Sequence, residues 1–228
     1  CWCRQRFCSC TLNSFEQKLG TMKKFKSTEL IDSLQADVKQ LLAAAEQMKG
    51  MDKMKLAYPL AEGKWTAVQA LEHLNMYGRY YLPAIEKAIS LNPGNKAAWF
   101  NSGRMGDYFT NIMKPKNVFE VKNKMKAPKG YVPAASLQTE GVINEFVDQQ
   151  NKLLQLLERA REHNLSEIRI PITLSKLIKL KLGDTFRFLV AHEQRHMVQA
   201  RNAIHDLGIA TDKFPVLFTT QQLKGAAV

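Results

Sequence analysis

The chain has 228 residues, of which 45% are hydrophobic, and its 33 lysines and arginines outnumber its 21 acids to give a formal net charge of +12. This composition supports a sizeable core and excludes global disorder. No apolar run approaches the roughly 18 residues of a membrane-spanning helix. The lysine excess is spread thinly and no recognition helix accompanies it, so a solvated surface is favoured over nucleic-acid binding.

The cysteines of the chain are confined to its first ten residues, at Cys1, Cys3, Cys8 and Cys10. Two C-x-C pairs could bind metal or form disulfides, but no cysteine elsewhere completes a site. Because Met22 opens a segment typical of a natural start, residues 1–21 are predicted to be a disordered or non-native extension outside the fold. The cysteine-free remainder is compatible with a reducing compartment, and the predicted localisation is cytoplasmic.

The first two of four helical segments are defined by their caps and periodicity. The first spans about 28–49, with Ser27 or Thr28 as its N-cap and leucines recurring on one face. The second begins after Thr66, which is the expected N-cap. Pro83 lies inside it and is expected to kink or interrupt the helix, because proline lacks the backbone N–H.

A long connection precedes the third helical segment. This third helix is predicted over about 140–163, with Thr139 as its cap. The connection, 91–138, is too long for a structureless loop in a compact domain, so short helices such as 104–113 are expected to cover the helices. The stretch 168–173 could be a brief extended piece, but no partner strand is evident.

The fourth helical segment is predicted to start near Asp184 or Thr185 and to stop before Gly208, which supplies the left-handed conformation of a helix end. Four amphipathic helices with one long connection between the second and third predict an all-α four-helix bundle with a long crossover. The domain is expected over residues 22–212, followed by a C-terminal tail at 213–228.

Two histidines lie one helical turn apart in the sequence HEQRH. His192 and His196 share the apolar face of the fourth helix. Buried imidazoles require hydrogen bonds or a metal ion, and open zinc-type sites usually have three protein ligands. His73, on the flank of the second helix's apolar face, is the candidate third ligand. His163 and His205 are expected to face solvent.

HEQRH also matches H-E-x-x-H, the signature of zinc peptidases. Those enzymes take a third ligand from further along the chain, typically from H-E-x-x-H-x-x-G-x-x-H. Here Gln199 and Asn202 occupy the places of that glycine and third histidine, and no glutamate follows residue 193. Asp206 lies too far along the same helix to share the ion. A zincin peptidase is therefore not predicted.

Two stretches resemble the DinB/YfiT-like metalloenzymes, the family of the DinB-like domain. They are GKWTAVQALEHL (63–74) and LGDTFRFLVAHEQRHMVQA (182–200), and the similarity covers about residues 28–208. The resemblance implies a four-helix bundle with a histidine triad, one ligand from the second helix and two from the fourth. These ligands fall on His73, His192 and His196.

The resemblance also implies the chemistry. Relatives include transferases of low-molecular-weight thiols, a thiol-dependent maleylpyruvate isomerase and proteins described as hydrolases. One divalent ion, zinc, nickel, iron or manganese, is expected, with open positions for a small-molecule substrate such as a thiol. The expected function is a metal-dependent transferase or hydrolase. The alternative is a non-catalytic helical protein with a structural or vestigial metal site. A homodimer is compatible with either, and no nucleic-acid or membrane partner is expected.

Residues beside the triad are candidates for supporting roles. Glu193 could act as a general base or hydrogen-bond acceptor, or form a surface or interhelical ion pair. Arg195 could hold a substrate carboxylate or an acid of a neighbouring helix. Gln199 is placed to fix an imidazole tautomer by hydrogen bonding. The tyrosines of the second helix are expected to pack between helices, and acids such as Asp37 are expected to face outwards.

Overall fold

The computed structural model describes residues 23–121 and 125–215. The elements are, in chain order, β1 (Lys24–Lys26), α1 (Ser27–Lys49), α2 (Lys53–Leu56), α3 (Ala67–Leu91), β2 (Trp99–Asn101), α4 (Arg104–Met113), a 3₁₀ turn (Lys129–Tyr131), α5 (Thr139–Ala160), β3 (Arg169–Ile172), β4 (Ser175–Lys181) and α6 (Leu182–Asp206). Helix accounts for 59% of the structure, so it is mostly helical as expected for the all-α class. Among the described residues, no helix has the length and apolarity needed to cross a bilayer.

The four long helices pack pairwise around two apolar clusters. Helix α1 packs against α5 and α6, and α3 packs against the same two helices. One cluster includes Leu34, Tyr81 and Phe186, and the other includes Leu41 and Phe146. Along α6, His192 and His196 lie between the two clusters, and along α3 His73 lies near their boundary, just before Leu74. The candidate site therefore interrupts the apolar core at mid-height.

The start and the end of the histidine-bearing helices follow the sequence signals. Thr66 and Gln69 form a capping box, in which Gln69 N donates to Thr66 Oγ1 at 3.1 Å and Thr66 N donates to Gln69 Oε1 at 3.0 Å. Gly208 has φ 74°, as its predicted role at the end of the fourth helix requires. Pro83 lies inside an unbroken helix, so the expected interruption does not occur.

The other three long helices begin earlier than their predicted caps. Their N-cap residues are Lys26, Gln138 and Lys181. The Gln138 side chain accepts a hydrogen bond from the backbone N–H of Gly141, so it performs the capping predicted for Thr139. Lys26 and Lys181 make no side-chain cap, because a lysine ammonium has no acceptor for a backbone N–H, and each helix follows directly from a paired strand.

Asp184, predicted as a cap of its own helix, caps a different one. Its Oδ2 accepts from Gly103 N at 2.7 Å, and Gly103 is the N-cap residue of α4. Its Oδ1 accepts from Ser102 Oγ at 2.7 Å and from Arg187 Nη1 at 3.0 Å. A carboxylate at a helix N-terminus is favoured by the helix dipole. The LGD sequence thus holds α4 and the long connection against α6.

Helix α6 is enclosed on all sides rather than along one face. Every residue from Leu182 to Val198 is buried. Helices α1 and α3 cover one side, while α4 and the rest of the connection cover the other, where Asn202 Nδ2 donates to Phe119 O at 2.7 Å. Asp37 of α1, expected to face outwards, is also fully buried. The expectation that each helix buries a single apolar face is therefore wrong for α6, which is buried on all sides, and it misplaces Asp37 of α1.

The expectation that residues 168–173 lack a partner strand is wrong. Strand β3 pairs antiparallel with β4, with Arg169 opposite Lys181 and Ile170 opposite Leu180. Ile170 and Leu180 are buried beneath this hairpin. A second small sheet joins β1 to β2. Both pairings are short and one involves distant residues, so neither leaves a regular alternation in the sequence.

Packing extends beyond the predicted C-terminal boundary at residue 212. Phe214 is 7% exposed and belongs to the same apolar cluster as Phe146. The packed region therefore reaches at least to Phe214, and a tail could begin only after it. The predicted N-terminal extension, residues 1–21, lies outside the described residues.

Gly183 is a position where the fold tolerates no side chain. A Cβ there would lie 2.7 Å from a ring carbon of Phe100, which is fully buried. Gly183→Ala should therefore lower the free energy of unfolding by about 1–3 kcal/mol, measured by urea denaturation. Gly50→Ala is the control, because its Cβ would meet only Gln47 O at 3.6 Å. A Gly183→Ala protein as stable as the control would contradict this packing.

Candidate metal centre

Three histidines from two helices converge in the core. His73 lies on α3, and His192 and His196 lie on α6. Each offers a ring nitrogen within 4.8 Å of those of the other two. Their exposed fractions are only 2%, 2% and 7%. This group could hold a metal ion, and among the described residues no cysteine or carboxylate joins it.

A hydrogen bond determines which nitrogen of His73 faces the group. His73 Nδ1 lies 2.6 Å from the main-chain oxygen of Tyr131. A carbonyl oxygen can only accept, so Nδ1 carries the proton and the lone pair is on Nε2. That nitrogen points to His192. A histidine whose outer N–H donates to a carbonyl is the usual arrangement for a metal ligand.

The separation of two ring nitrogens is compatible with a shared ion. His73 Nε2 and His192 Nε2 are 3.2 Å apart. Two nitrogens that each lie about 2.0–2.1 Å from one zinc ion at an angle near 100° would be separated by about 3.2 Å. Without an ion, the same distance fits a hydrogen bond donated by His192 Nε2–H. The geometry suits a metal ion but does not require one.

Burial keeps all three imidazoles in the neutral form that can ligate. Desolvation lowers the pKa of His73, opposed by its hydrogen bond to Tyr131. Desolvation lowers the pKa of His192 and His196 well below its usual value, and the neighbouring histidines and Arg195 lower both further. A metal ion competes with protons for imidazole nitrogen, so a low pKa favours metal binding at neutral pH.

Two buried nitrogens in the group have no hydrogen-bond partner in the described structure, His192 Nδ1 and His196 Nδ1. Leaving a buried polar atom unpaired costs about 1–3 kcal/mol, so such atoms call for an explanation. The His196 side chain also forms a hydrogen bond with Gln199, which acts to raise its pKa. The Gln199 contact is the one that the sequence suggested.

Aromatic rings close the group from several sides. The Trp65 ring lies 4.8 Å from the His73 ring and 5.8 Å from that of His196, centre to centre. The Tyr77 ring lies 4.4 Å from the His192 ring, and Phe188 stacks parallel to His192 at 5.8 Å. Tyr77 thus both packs in the core, as expected, and lines the site. These rings exclude water and explain the low exposure.

Tyr131, like Trp65 and Phe188, is a residue at this site that sequence reasoning did not single out. It lies in APKGYVP within the long connection, where nothing but the proline and glycine turn signals marks the segment. Besides its carbonyl contact with His73, its ring lies 4.4 Å from the Tyr77 ring. A main-chain contact depends on position rather than residue type, so a sequence motif does not reveal it.

Glu193 is buried and pairs with an amide rather than with a cation. It is 4% exposed, and Gln150 Nε2 of α5 donates to its Oε1 at 3.2 Å. Desolvation raises the pKa of Glu193 to about 8, with the Gln150 hydrogen bond acting in the opposite direction. Oε2 of Glu193 and Oε1 of Gln150 have no hydrogen-bond partner in the described structure. A protonated carboxyl would supply the missing donor between these two side chains.

Arg195 lies inside the protein close to the triad. It is 3% exposed, and burial lowers its pKa. Its positive charge is near enough to lower the pKa of both His192 and His196.

Two other histidines are not part of this group. His163 Nδ1 donates to Arg159 O at 3.0 Å at the end of α5, and His205 is exposed beside Asp206.

The family profile of the DinB superfamily matches residues 34–200. The chain belongs to the DinB superfamily. The match begins within α1, ends within α6 and includes all three histidines of the group. No curated protein and no solved structure shows significant similarity to the chain. The resemblance read from residues 63–74 and 182–200 is confirmed at the level of the family.

The raised pKa of Glu193 predicts a pH dependence of stability. Its pKa of about 8 in the folded, metal-free protein exceeds the ordinary value of 4.5. As the pH rises through 5–8, the unfolded chain releases this proton while the folded protein retains it. The contribution of Glu193 to stability should therefore fall with pH, by up to about 1.4 kcal/mol per unit, while the lowered pKa values of the three histidines act in the opposite direction in wild type and variant alike. Glu193→Gln should lose this slope and be the more stable protein at pH 8.

Urea denaturation of the metal-free proteins at pH 5, 6.5 and 8 measures this effect. Glu140→Gln is the control, because it makes the same substitution at an exposed position. Parallel curves for wild type and Glu193→Gln across this range would mean that Glu193 is ionised in the core.

Proposed function

We propose that this DinB-superfamily protein is a metal-dependent enzyme, a transferase of low-molecular-weight thiols or a hydrolase. The observation that carries the proposal is the convergence of three buried, neutral imidazoles, with two of their nitrogens 3.2 Å apart and one fixed in its tautomer. In this proposal His73, His192 and His196 bind one divalent ion.

The donor set favours particular metals. Imidazole nitrogen suits zinc, nickel and iron, and it suits manganese less than carboxylate oxygen does. Three protein ligands leave at least one position for an exchangeable ligand. When bound, a divalent ion supplies Lewis acidity that lowers the pKa of a coordinated water or thiol. Each remaining role belongs to side chains of the chain itself.

Each of these side chains has a role that follows from its position relative to the triad. Gln199 holds the His196 ring through its hydrogen bond. Trp65, Tyr77 and Phe188 keep water away from the imidazoles, which strengthens electrostatic interactions within the site. Arg195 supplies a positive charge near the triad that would attract a carboxylate or a developing negative charge on a small substrate.

Glu193 is the weaker catalytic candidate. A general base must be ionised and within hydrogen-bond reach of the proton that it removes. In the metal-free protein Glu193 is directed to Gln150 of α5, and its raised pKa keeps it protonated at neutral pH. Its role as a base would depend on nearby positive charge lowering that pKa. Structural pairing with Gln150 is the better-supported role.

One observation favours the alternative of a non-catalytic protein with a structural or vestigial metal site. The histidines are 2–7% exposed, so a substrate has no open path to them in this conformation. A structural ion is closed off by a fourth protein ligand, however, and within the described residues the triad has no fourth ligand of the usual types. Open coordination therefore distinguishes the two functions.

The proposal also covers the fold around the site, the start of the domain, the localisation and the partners. The four long helices are taken to form the family's four-helix bundle, with the long connection as its crossover. The domain begins after residue 21. We place the protein in the cytoplasm because the sequence beyond residue 10 has no cysteine. A homodimer is compatible with these features, and a low-molecular-weight thiol is the favoured small-molecule partner.

Substitution of each ligand tests the site. His73→Ala, His192→Ala and His196→Ala should each abolish stoichiometric binding of zinc, because two imidazoles hold an ion far less tightly than three. His163→Ala and His205→Ala are matched controls outside the group and should retain full occupancy. Metal analysis of protein purified without an affinity tag measures the occupancy. Full occupancy in His73→Ala would remove the triad from consideration.

Cobalt substitution tests whether the coordination is open. The cobalt protein should show five- or six-coordinate absorption that changes when a small thiol or anion is titrated in. Binding of the ion should weaken as the pH falls through the histidine range, because imidazolium cannot ligate. A tetrahedral spectrum that is indifferent to thiols and anions would favour the structural alternative.

A further inference from the structure

The outer nitrogen of one histidine is held by the long connection and not by a helix. Of the three Nδ1 atoms, those of His192 and His196 have no hydrogen-bond partner within the described structure, while that of His73 donates to Tyr131 O at 2.6 Å. Tyr131 ends the 3₁₀ turn Lys129–Tyr131. The orientation of His73 therefore depends on a segment 58 residues distant in the chain.

The same segment is fastened over the site at three points. The Tyr131 ring lies 4.4 Å from the Tyr77 ring, Pro133 is buried, and Gln69 Nε2 donates to Ala134 O at 3.1 Å. Between these points Val132 is 50% exposed, so the segment lies at the surface with the histidines beneath it. We call residues 129–134 the cover.

We propose that Tyr131 is a positioning residue for the candidate metal site, and that the cover is coupled through it to metal binding. This inference rests on the proposed function and adds a group that the helices do not supply. With the cover in place, the Tyr131 carbonyl accepts from Nδ1–H, and the Nε2 lone pair of His73 faces His192. With the cover displaced, Nδ1–H loses its acceptor, and the ring is free to rotate or to change tautomer.

The coupling must operate in both directions. If closure of the cover strengthens metal binding, then metal binding stabilises the closed cover by the same factor. Residues that hydrogen-bond to a ligand histidine commonly change metal affinity by about 10- to 100-fold when altered. The cover is also what separates the triad from solvent on this side. In this proposal, the cover controls both the access of solvent to the triad and the orientation and tautomer of His73.

Replacing one peptide bond by an ester tests the contact directly. Substituting Val132 with its α-hydroxy analogue turns the Tyr131 carbonyl into a weaker acceptor and leaves every side chain unchanged. Zinc affinity, measured by competition with a chromogenic chelator, should fall about tenfold. The hydrogen-bonded Nδ1–H proton signal of His73 in the zinc protein should shift or disappear. The same ester at the Ala135–Ser136 peptide is the control and should change neither quantity.

A side-chain pair provides an independent test if the ester protein does not fold. Tyr131→Ala removes the ring that rests on Tyr77 and loosens the cover, so zinc affinity should fall. Tyr131→Phe keeps the ring and the carbonyl and should bind as wild type does. In amide hydrogen exchange, zinc should protect residues 129–134 of wild type and Tyr131→Phe, and protect them less in Tyr131→Ala.

The outcomes separate this inference from the function on which it rests. If wild type binds no zinc, both fall. If wild type binds zinc through the triad but the ester and Tyr131→Ala proteins bind it within twofold of wild type, the positioning role alone is overturned. Equal losses of zinc affinity and of zinc-free thermal stability, with an unchanged Nδ1–H signal, would show a merely structural role and would also overturn it.

Discussion

Three neutral imidazoles buried in one place are the constraint on which the rest of this structure depends. Their burial interrupts the apolar core between its two clusters and leaves two ring nitrogens without partners in the described structure. Burying unpaired polar atoms lowers the stability of the folded state unless other interactions offset the lost hydrogen bonds. An ion bound through nitrogens such as His73 Nε2 and His192 Nε2 would stabilise the buried group, although it would leave His192 Nδ1 unpaired, so the proposed metal site and the stability of the fold are linked.

The surroundings of the triad are built to hold α6 from every side. Asp184 caps α4, Arg187 binds both Asp184 and Asp107, and Gly183 allows Phe100 to lie against the helix. These contacts attach the connection to the helix that carries His192 and His196. They also explain what the LGD sequence does physically. It attaches the connection to α6, although its last residue, Asp184, lies eight residues before His192, the nearest candidate ligand.

Burial changes the chemistry of the polar residues as well as their position. The pKa of Glu193 is raised by desolvation, and those of His192 and His196 are lowered by it, so all three tend towards their neutral forms. Arg195 keeps a positive charge among them. In the proposed function, a small substrate would therefore lie among neutral imidazoles and aromatic rings, near the positive charge of Arg195.

Much of this could be predicted from the sequence because the signals are local. The i, i+4 spacing of His192 and His196, the Thr66 capping box and Gly208 each depend on a few adjacent residues. The position of His73 on the second helix and the family motif both predicted it as the third member, and the structure brings its ring nitrogen to within 4.8 Å of those of the other two. The predicted helical content and the short helix at 104–113 have the same local origin.

Only the tertiary structure decided where distant segments meet. The strand partner of β3, the burial of Asp37 and Glu193, and the capping of α4 by Asp184 all depend on contacts between elements. The contact of Tyr131 with His73 is the clearest case, because it uses a main-chain oxygen that every residue type possesses. The sequence by itself determined which imidazoles share a helix face, since helical periodicity follows from local backbone geometry. The tertiary structure decided what covers them, since that depends on packing between residues far apart in the chain.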